Sequence, residues 1–191
     1  MRTKLVQSLT ILAFLLAAGT TGGAAQQPSA PQPSKFKLTS SAYDDGSKIP
    51  MQYSCADPNA ASPDLSWSNP PKDTASFAVI FHDTDAAPAK GTMDNTHWIF
   101  WNIPANSSQL MAAIKADASP DGIQQGKNIR GVNGYQPPCP PPGAAPHHYI
   151  FELFALDQKL DLTTGASRAD LLKAMEGHVI GKASYVGIFA R

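Results

Sequence analysis

Four of the five histidines and two closely spaced aspartates lie in or beside loops rich in proline and glycine. Asp83 and Asp85 follow one apolar segment, His97 begins a second, and His147 and Tyr149 begin a third. Two neighbouring carboxylates repel each other unless donors lie between them, and the imidazole N–H groups of the two histidines satisfy that need. A carboxylate bound to one ring nitrogen fixes the tautomer and directs the other nitrogen outward. These residue types predict a small pocket for a compact anion.

Side-chain alternation places part of this set on the core side of a strand. His147 and Tyr149 share a face with Phe151 and Leu153, so they lie at the entry end of the strand, at the mouth of a pocket. Two alternatives stay open. Buried histidine and tyrosine often serve only as satisfied core groups. A pair of aspartates before a proline is also typical of a solvated turn.

Other chemistries find less support in the sequence. The nearest approach to a nucleophile elbow is Gly165-Ala166-Ser167-Arg168-Ala169, and Ser167 is better explained as a helix cap. Neither a phosphate-binding loop nor a dinucleotide fingerprint occurs. The histidines and aspartates lack the tight spacing of a metal site, so we expect no metal and no cofactor. A hydrolase that uses the histidine and aspartate set as acid and base on a water molecule remains an alternative.

The elements that must position these residues are mostly strands. Three apolar runs, 76–82, 98–103 and 149–156, predict buried strands, and 36–39, 51–55 and 183–190 are further candidates. Ser167 as N-cap and Asp170 three residues later predict one helix that stops at Gly177. The segment 106–115 suits a short helix or a loop equally. Strands separated by turn signals, with few helices, predict a mainly β antiparallel sandwich.

The N-terminus has the pattern of an export signal. Arg2 and Lys4 precede an apolar run at 9–18, and the small residues at 22–25 favour cleavage after Ala25. We therefore predict a signal peptide at 1–25, a disordered linker at 26–35 and one folded domain at 36–191. An uncleaved N-terminal anchor is the alternative. Export would place the mature protein in the periplasm or outside the cell.

Charge and cysteine content limit the possible partners. Lysine plus arginine and aspartate plus glutamate each number 15, so the chain has no basic excess for nucleic acid or for a membrane surface. No apolar stretch beyond residue 18 is long enough to span a bilayer. In an exported protein the only two cysteines, Cys55 and Cys139, most simply form a disulfide, and two buried thiols are the alternative.

Two long motifs in the same order resemble those of the phosphatidylethanolamine-binding proteins, in particular their bacterial branch, often labelled Raf kinase inhibitor-like. The first is Asp83-Thr84-Asp85-Ala86-Ala87-Pro88 with His97-Trp98 after it, and the second runs from Gly134 to Gly143 before His147-His148-Tyr149. The resemblance covers residues 36–191. Thr84 and the extra residue in Ala86-Ala87 depart from the family pattern, as does Pro137-Pro138.

The resemblance implies a two-sheet antiparallel β-sandwich with one or two short peripheral helices. It also implies a non-enzymatic binding protein for a small anion, either phosphate or a phospholipid headgroup. The family's anion pocket corresponds to Asp83, Asp85, His97, His147 and Tyr149, with Pro141 on its wall. His97, His147 and the Tyr149 hydroxyl would donate to the anion, and the two aspartates would orient the imidazoles or face an ammonium group. An inhibitor of a protease or kinase-like partner is the alternative function.

Overall fold

The computed structural model describes residues 36–116 and 122–191, which form a two-sheet, mainly β fold. The predicted signal peptide and linker lie outside the described residues. The strands are β1 (Lys37–Thr39), β2 (Ser47–Lys48), β3 (Leu65–Ser68), β4 (Ser76–Asp83), β5 (Asn95–Pro104), β6 (Gln109–Leu110), β7 (Gln124–Gln125), β8 (His147–Leu156) and β9 (Val179–Phe189). The small sheet has the order β1-β3-β6 and the large sheet the order β2-β9-β8-β4-β5-β7. The predicted sandwich is confirmed, although the edge strand β2 pairs parallel with β9.

Strand β4 is the centre of the molecule, and all eight of its residues are buried. Phe77, Val79 and Phe81 belong to the core between the two sheets. Ala78 and Ile80 belong to a second core on the opposite face, beneath the helix α1 (Arg168–Met175). The middle of a strand covered on both faces is apolar at successive positions, which explains the continuous run from Phe77 to Phe81.

The single α-helix of the described residues begins as the sequence predicts. The Ser167 hydroxyl accepts a hydrogen bond from the Asp170 N–H, and the Asp170 carboxylate accepts one from the Ser167 N–H, which makes a capping box. Leu171 and Met175 are buried against the large sheet. Gly177 follows the helix with a φ of 82°, a conformation that glycine adopts without strain. No helix within 36–116 or 122–191 has the length and apolar composition that a bilayer crossing requires.

One predicted strand is wrong. Residues 51–55 do not join a sheet, because Met51–Tyr53 forms a 3-10 turn in which the Tyr53 N–H donates to the Pro50 carbonyl at 3.0 Å. The Cys55 N–H donates instead to the Pro138 carbonyl at 3.0 Å, beside the disulfide. Local turn bonds and the cross-link therefore override the apolar alternation of this segment. The ambiguous segment 106–115 contains the short strand β6. A second 3-10 turn, Pro88–Lys90, lies between β4 and β5.

Candidate functional site

The candidate site lies at the ends of three neighbouring strands of the large sheet, where β4 ends and where β5 and β8 begin. Asp83, the last residue of β4, pairs with Tyr149 of β8 on one side and with Asn95 of β5 on the other. Antiparallel pairing thus brings the polar ends of three strands into one row. His147, two residues before Tyr149 on β8, lies at the same end of the strands and on the same face of the sheet.

A β-bulge in β5 turns His97 toward this row. Phe81 pairs with Trp98 and His82 pairs with Thr96, so His97 is the extra residue and has no partner on β4. Regular alternation would put His97 and Trp98 on opposite faces. Here Trp98 belongs to the core between the sheets, and the His97 ring lies edge-on to Phe81 of that core, with 5.6 Å between ring centroids. The bulge is therefore what gives His97 access to the site.

The His97 ring is fixed by a backbone carbonyl. Its Nδ1–H donates to the Gln136 carbonyl oxygen at 2.8 Å, and its ring centroid lies 5.2 Å from that of Tyr149. Only 4% of the residue is exposed. Burial lowers the pKa of His97, and the Gln136 carbonyl and the Asp83 carboxylate partly oppose this effect. Nε2 has no hydrogen-bond partner among the described residues.

The His147 ring is fixed by a carboxylate, as the sequence predicts. Its Nδ1–H lies 2.8 Å from Asp83 Oδ2 and 3.1 Å from Oδ1. Asp83 Oδ1 also accepts the backbone N–H of Asp85 at 3.1 Å, so this buried carboxylate is well satisfied. The ring centroids of His147 and Tyr149 are 6.4 Å apart.

Asp85 has a different role from the one predicted. Its Oδ2 accepts the His148 backbone N–H at 2.6 Å and lies 2.9 Å from His148 Nδ1. The backbone N–H of His148 is the main cause that lowers the pKa of Asp85. Asp85 therefore holds the start of β8, and it orients His148 rather than His97 or His147. The prediction that both aspartates orient the two site imidazoles is wrong for Asp85, because a carbonyl already occupies Nδ1 of His97.

The Tyr149 hydroxyl is the most unusual polar group of this site. Tyr149 is fully buried, and its hydroxyl makes no hydrogen bond of normal geometry among the described residues, although the Asp83 carboxylate and the Cys139 backbone lie close to it. Burial raises the pKa of Tyr149, and the nearby Asp83 carboxylate raises it further. The hydroxyl is therefore a neutral donor at any physiological pH.

A cavity of about 470 Å³ opens next to these residues. Four of the residues predicted from the sequence line it, namely Asp83, Asp85, Pro141 and His147. The other lining residues are Ala86, Ala87, Pro88, Asn95, Cys139 and Pro140. The other two predicted residues, His97 and Tyr149, are not among the lining residues. The Tyr149 ring contacts the His97 ring and also the His147 ring, which lines the cavity.

Sequence reasoning missed two contributors to the site. The Oδ1 atom of Asn95 is buried and has no hydrogen-bond partner among the described residues. Asn95 lies two positions before His97 on the same strand, so alternation from His97 could have found it. The Gln136 carbonyl that holds His97 has no such signal, because every residue type carries a backbone carbonyl.

The disulfide between Cys55 and Cys139 fixes one wall of the cavity. Its sulfur atoms are 2.04 Å apart, and it joins segments separated by 84 positions. Cys139, Pro140 and Pro141 follow one another along the wall. Within the described parts of the chain, no three side chains of histidine, cysteine, aspartate or glutamate are grouped so that they could hold a metal ion.

Comparison with known proteins decides the family. Residues 39–190 match the sequence model of the family described as phosphatidylethanolamine-binding protein. The chain therefore belongs to the phosphatidylethanolamine-binding protein family. A family relative from Methanothermobacter thermautotrophicus, named UPF0098 protein, is 45% identical over 157 residues, which cover 82% of this chain and 99% of the relative.

Two solved structures of the phosphatidylethanolamine-binding protein family agree with this fold. A homolog from Chlamydia trachomatis is 34% identical with a TM-score of 0.73, and the match covers 83% of this chain and 99% of that chain. YbcL of E. coli, described as a new member of the mammalian family, is 30% identical with a TM-score of 0.74. The match covers 82% of this chain and 99% of the YbcL chain. The predicted family and sandwich fold are thereby confirmed.

Proposed function

We propose that this protein is an exported, non-enzymatic binding protein for a small anion, either phosphate or a phospholipid headgroup. The single observation that carries the proposal is the buried hydroxyl of Tyr149, which makes no hydrogen bond of normal geometry among the described residues and belongs to a ring that contacts the His97 and His147 rings. An unsatisfied buried hydroxyl costs about 1–3 kcal/mol, and a guest that accepts its hydrogen bond would recover that free energy. The names of the family and of its solved members support a ligand of this kind.

Each residue of the site has a distinct part in the proposal. The Tyr149 hydroxyl donates to the guest, and the Nε2 atoms of His97 and His147 contact it. Asp83 orients His147, and Pro141 bounds the cavity. Asp83 and Asp85 also line the cavity and would attract an ammonium group such as that of ethanolamine. Two or three hydrogen bonds of about 1.5–3 kcal/mol each, less the costs of binding, correspond to micromolar to millimolar affinity.

The absence of a hydroxyl or thiol nucleophile from the described cavity lining supports binding rather than acyl or phosphoryl transfer to such a group. Among the described residues that line the cavity there is no serine, no threonine and no free thiol, and Cys139 is bonded in the disulfide. Asp83 contacts His147, but the third group that a nucleophilic triad requires is missing from this lining. We therefore propose that the site holds its guest without transforming it.

Export is the second part of the proposal. The basic, apolar and small-residue segments of the N-terminus have the order of a signal peptide. A disulfide persists in oxidising compartments, which agrees with a periplasmic or secreted protein. A relative from Mycobacterium tuberculosis, 35% identical over 161 residues, is named as a lipoprotein and is thus also linked by name to the cell envelope.

Isothermal titration calorimetry tests the binding function. The protein with its disulfide intact is titrated with phosphate, phosphoethanolamine and acetate. We expect phosphate or phosphoethanolamine to bind, and Tyr149→Phe to weaken binding about tenfold or more, because it removes one hydrogen bond to a charged guest. Flat titrations with all three compounds would reject the proposal.

Tyr43→Phe is the matched control for this variant. The Tyr43 hydroxyl is also buried without a hydrogen-bond partner among the described residues, but the Tyr43 ring packs on Tyr185 and not on the site histidines. Both variants remove one orphaned hydroxyl from the same core between the sheets. An equal loss of affinity in both variants would contradict a direct contact between Tyr149 and the anion.

A further inference from the structure

The Nδ1–H group of each site imidazole already donates to an acceptor within the protein. The Nδ1–H of His97 is bonded to the Gln136 carbonyl, and the Nδ1–H of His147 is bonded to the Asp83 carboxylate. A neutral imidazole has one N–H, so the remaining Nε2 of each ring carries a lone pair and can only accept. In their neutral forms, neither ring can donate to an anion. Tyr149 is then the one donor side chain of the predicted set.

The charge of the cavity leads to the same conclusion. Asp83 and Asp85 line it, and the described lining residues include no lysine or arginine. An anion that enters this cavity without a proton meets the Asp83 and Asp85 carboxylates and the lone pair of His147, which repel it. Something positive or proton-bearing must accompany it.

We propose that the cavity binds its oxyanion together with a proton, carried by the guest or taken up by an imidazole Nε2, so that protonated phosphoryl groups are its preferred ligands. This inference rests on the proposed anion-binding function. A phosphate that bears a hydroxyl donates that proton to Nε2 of one histidine. An anion without a hydroxyl binds only when His97 or His147 takes a proton from the solvent and becomes an imidazolium.

The surroundings of the two rings determine where the proton goes. His97 faces the Asp83 carboxylate from β4 and the Tyr149 ring from β8, and the charges of His82 and Asp94 also act on it. His147 faces Asp83, and Asp85 lies close enough to interact with its charge. Asp83 favours an imidazolium at His97, but burial outweighs this effect and lowers the pKa of His97. Substitution of each ring distinguishes which of the two receives the proton.

Calorimetry with inorganic phosphate and with sulfate tests the inference at about pH 7.5, where an ordinary imidazole with a pKa of about 6.5 is mostly neutral. Phosphate carries a hydroxyl at this pH and sulfate carries none. Titration in two buffers of different ionisation enthalpy measures how many protons the complex takes up. We expect sulfate to take up about one proton and to bind about tenfold or more weakly than phosphate, with its affinity falling about tenfold per pH unit.

Substitution locates the proton. Glutamine in His97→Gln or His147→Gln offers a permanent N–H donor, so the variant at the ring that receives the proton should bind sulfate without proton uptake. His178→Gln is the matched control, because the His178 Nδ1 also lies 2.9 Å from a carboxylate, that of Asp157, at the far end of β8 from the cavity. It should leave the proton count unchanged.

The outcomes separate this inference from the function on which it rests. Proton uptake with sulfate, or binding of phosphate with no binding of sulfate, supports the inference. Sulfate that binds the unmodified protein with less than half a proton taken up overturns it, even if phosphate binds as proposed. Failure of both anions to bind overturns the proposed function itself. The number of protons that the unmodified protein takes up with sulfate tests the inference even if a variant fails to fold.

Discussion

Glu152 shows how a single charged residue contributes to this fold. It lies on the outer face of β8, with its Oε1 atom 2.5 Å from Lys182 Nζ and its Oε2 atom 3.4 Å from His82 Nε2. The His82 ring first, and then the Lys182 ammonium, lower the pKa of Glu152 to about 2, although burial opposes the shift. The carboxylate is thus held ionised on the side of the sheet opposite the candidate site.

This shift predicts a stability contribution that depends on pH. Because the folded pKa lies below the ordinary glutamate value of 4.5, the contribution is fully present above about pH 4.5 and is lost as pH falls toward 2. Because the Lys182 ammonium is half exposed, solvent screening limits the contribution to about 1–2 kcal/mol at neutral pH. We expect Glu152→Gln to lower the free energy of unfolding by about that amount at pH 7 and to have little effect near pH 2. Urea unfolding at several pH values measures this.

Glu176→Gln is the control for that experiment, since Glu176 is exposed at the end of α1. An exposed substitution of this kind should change the free energy of unfolding by less than about 0.5 kcal/mol. A pH-independent effect of Glu152→Gln would show that its charge does not carry the contribution.

At the scale of elements, helix α1 is connected to the strand that carries His97. Arg168 at the start of α1 forms an ion pair with Asp94, which directly precedes β5. The other oxygen of Asp94 accepts a hydrogen bond from His82 Nδ1 at 2.6 Å, so the same carboxylate also contacts β4. The helix therefore braces the strand ends from the face opposite the cavity.

Removal of this brace should lower stability. Arg168→Ala leaves a largely buried Asp94 without its cation, and we expect the free energy of unfolding to fall on the order of 3 kcal/mol. Arg130→Ala is the control, because exposed Arg130 makes no ion pair among the described residues, and it should cost less than about 0.5 kcal/mol. Chemical denaturation of both variants compares them directly. A loss no larger in Arg168→Ala than in Arg130→Ala would mean that α1 is held by apolar packing alone.

At the scale of the whole molecule, the disulfide joins the cavity wall to a distant loop. Cys139 belongs to the wall and Cys55 follows the 3-10 turn at Met51–Tyr53. The Cys55 N–H also donates to the Pro138 carbonyl at 3.0 Å, so backbone and sulfur bonds act together. Fixing this wall keeps Pro140 and Pro141 at the cavity before a guest arrives.

Loss of the disulfide should therefore affect both stability and binding. The double variant Cys55→Ser, Cys139→Ser should lose about 4 kcal/mol of unfolding free energy in the chain-entropy treatment. It should also bind phosphate more weakly, because the wall must be ordered when the guest binds. Denaturation and calorimetry, each with and without a reducing agent, measure the two effects. Reduction should have no effect on the double variant, and a reduced unmodified protein that binds phosphate unchanged would contradict this role of the wall.

Several elements could be predicted because their signals are local. The apolar runs of β4, β5 and β8 identify strands that need cover on both faces, and the Ser167 capping box identifies α1. Residues 51–55, which were wrongly predicted as a strand, also carry a local apolar pattern. There, turn bonds and the bonds of Cys55 to a distant loop decided the backbone conformation, and neither is visible in a short window.

By itself, the sequence determined which side chains are candidates for the site, namely two aspartates, two histidines and a tyrosine beside rigid proline loops. Only the tertiary structure decided which of them bond to one another. A bulge in β5 turned His97 to the site, the Gln136 carbonyl took its N–H, and Asp85 paired with His148 instead. The physical reason is that strand register and backbone carbonyls set these contacts, and neither is encoded in the type of any single residue.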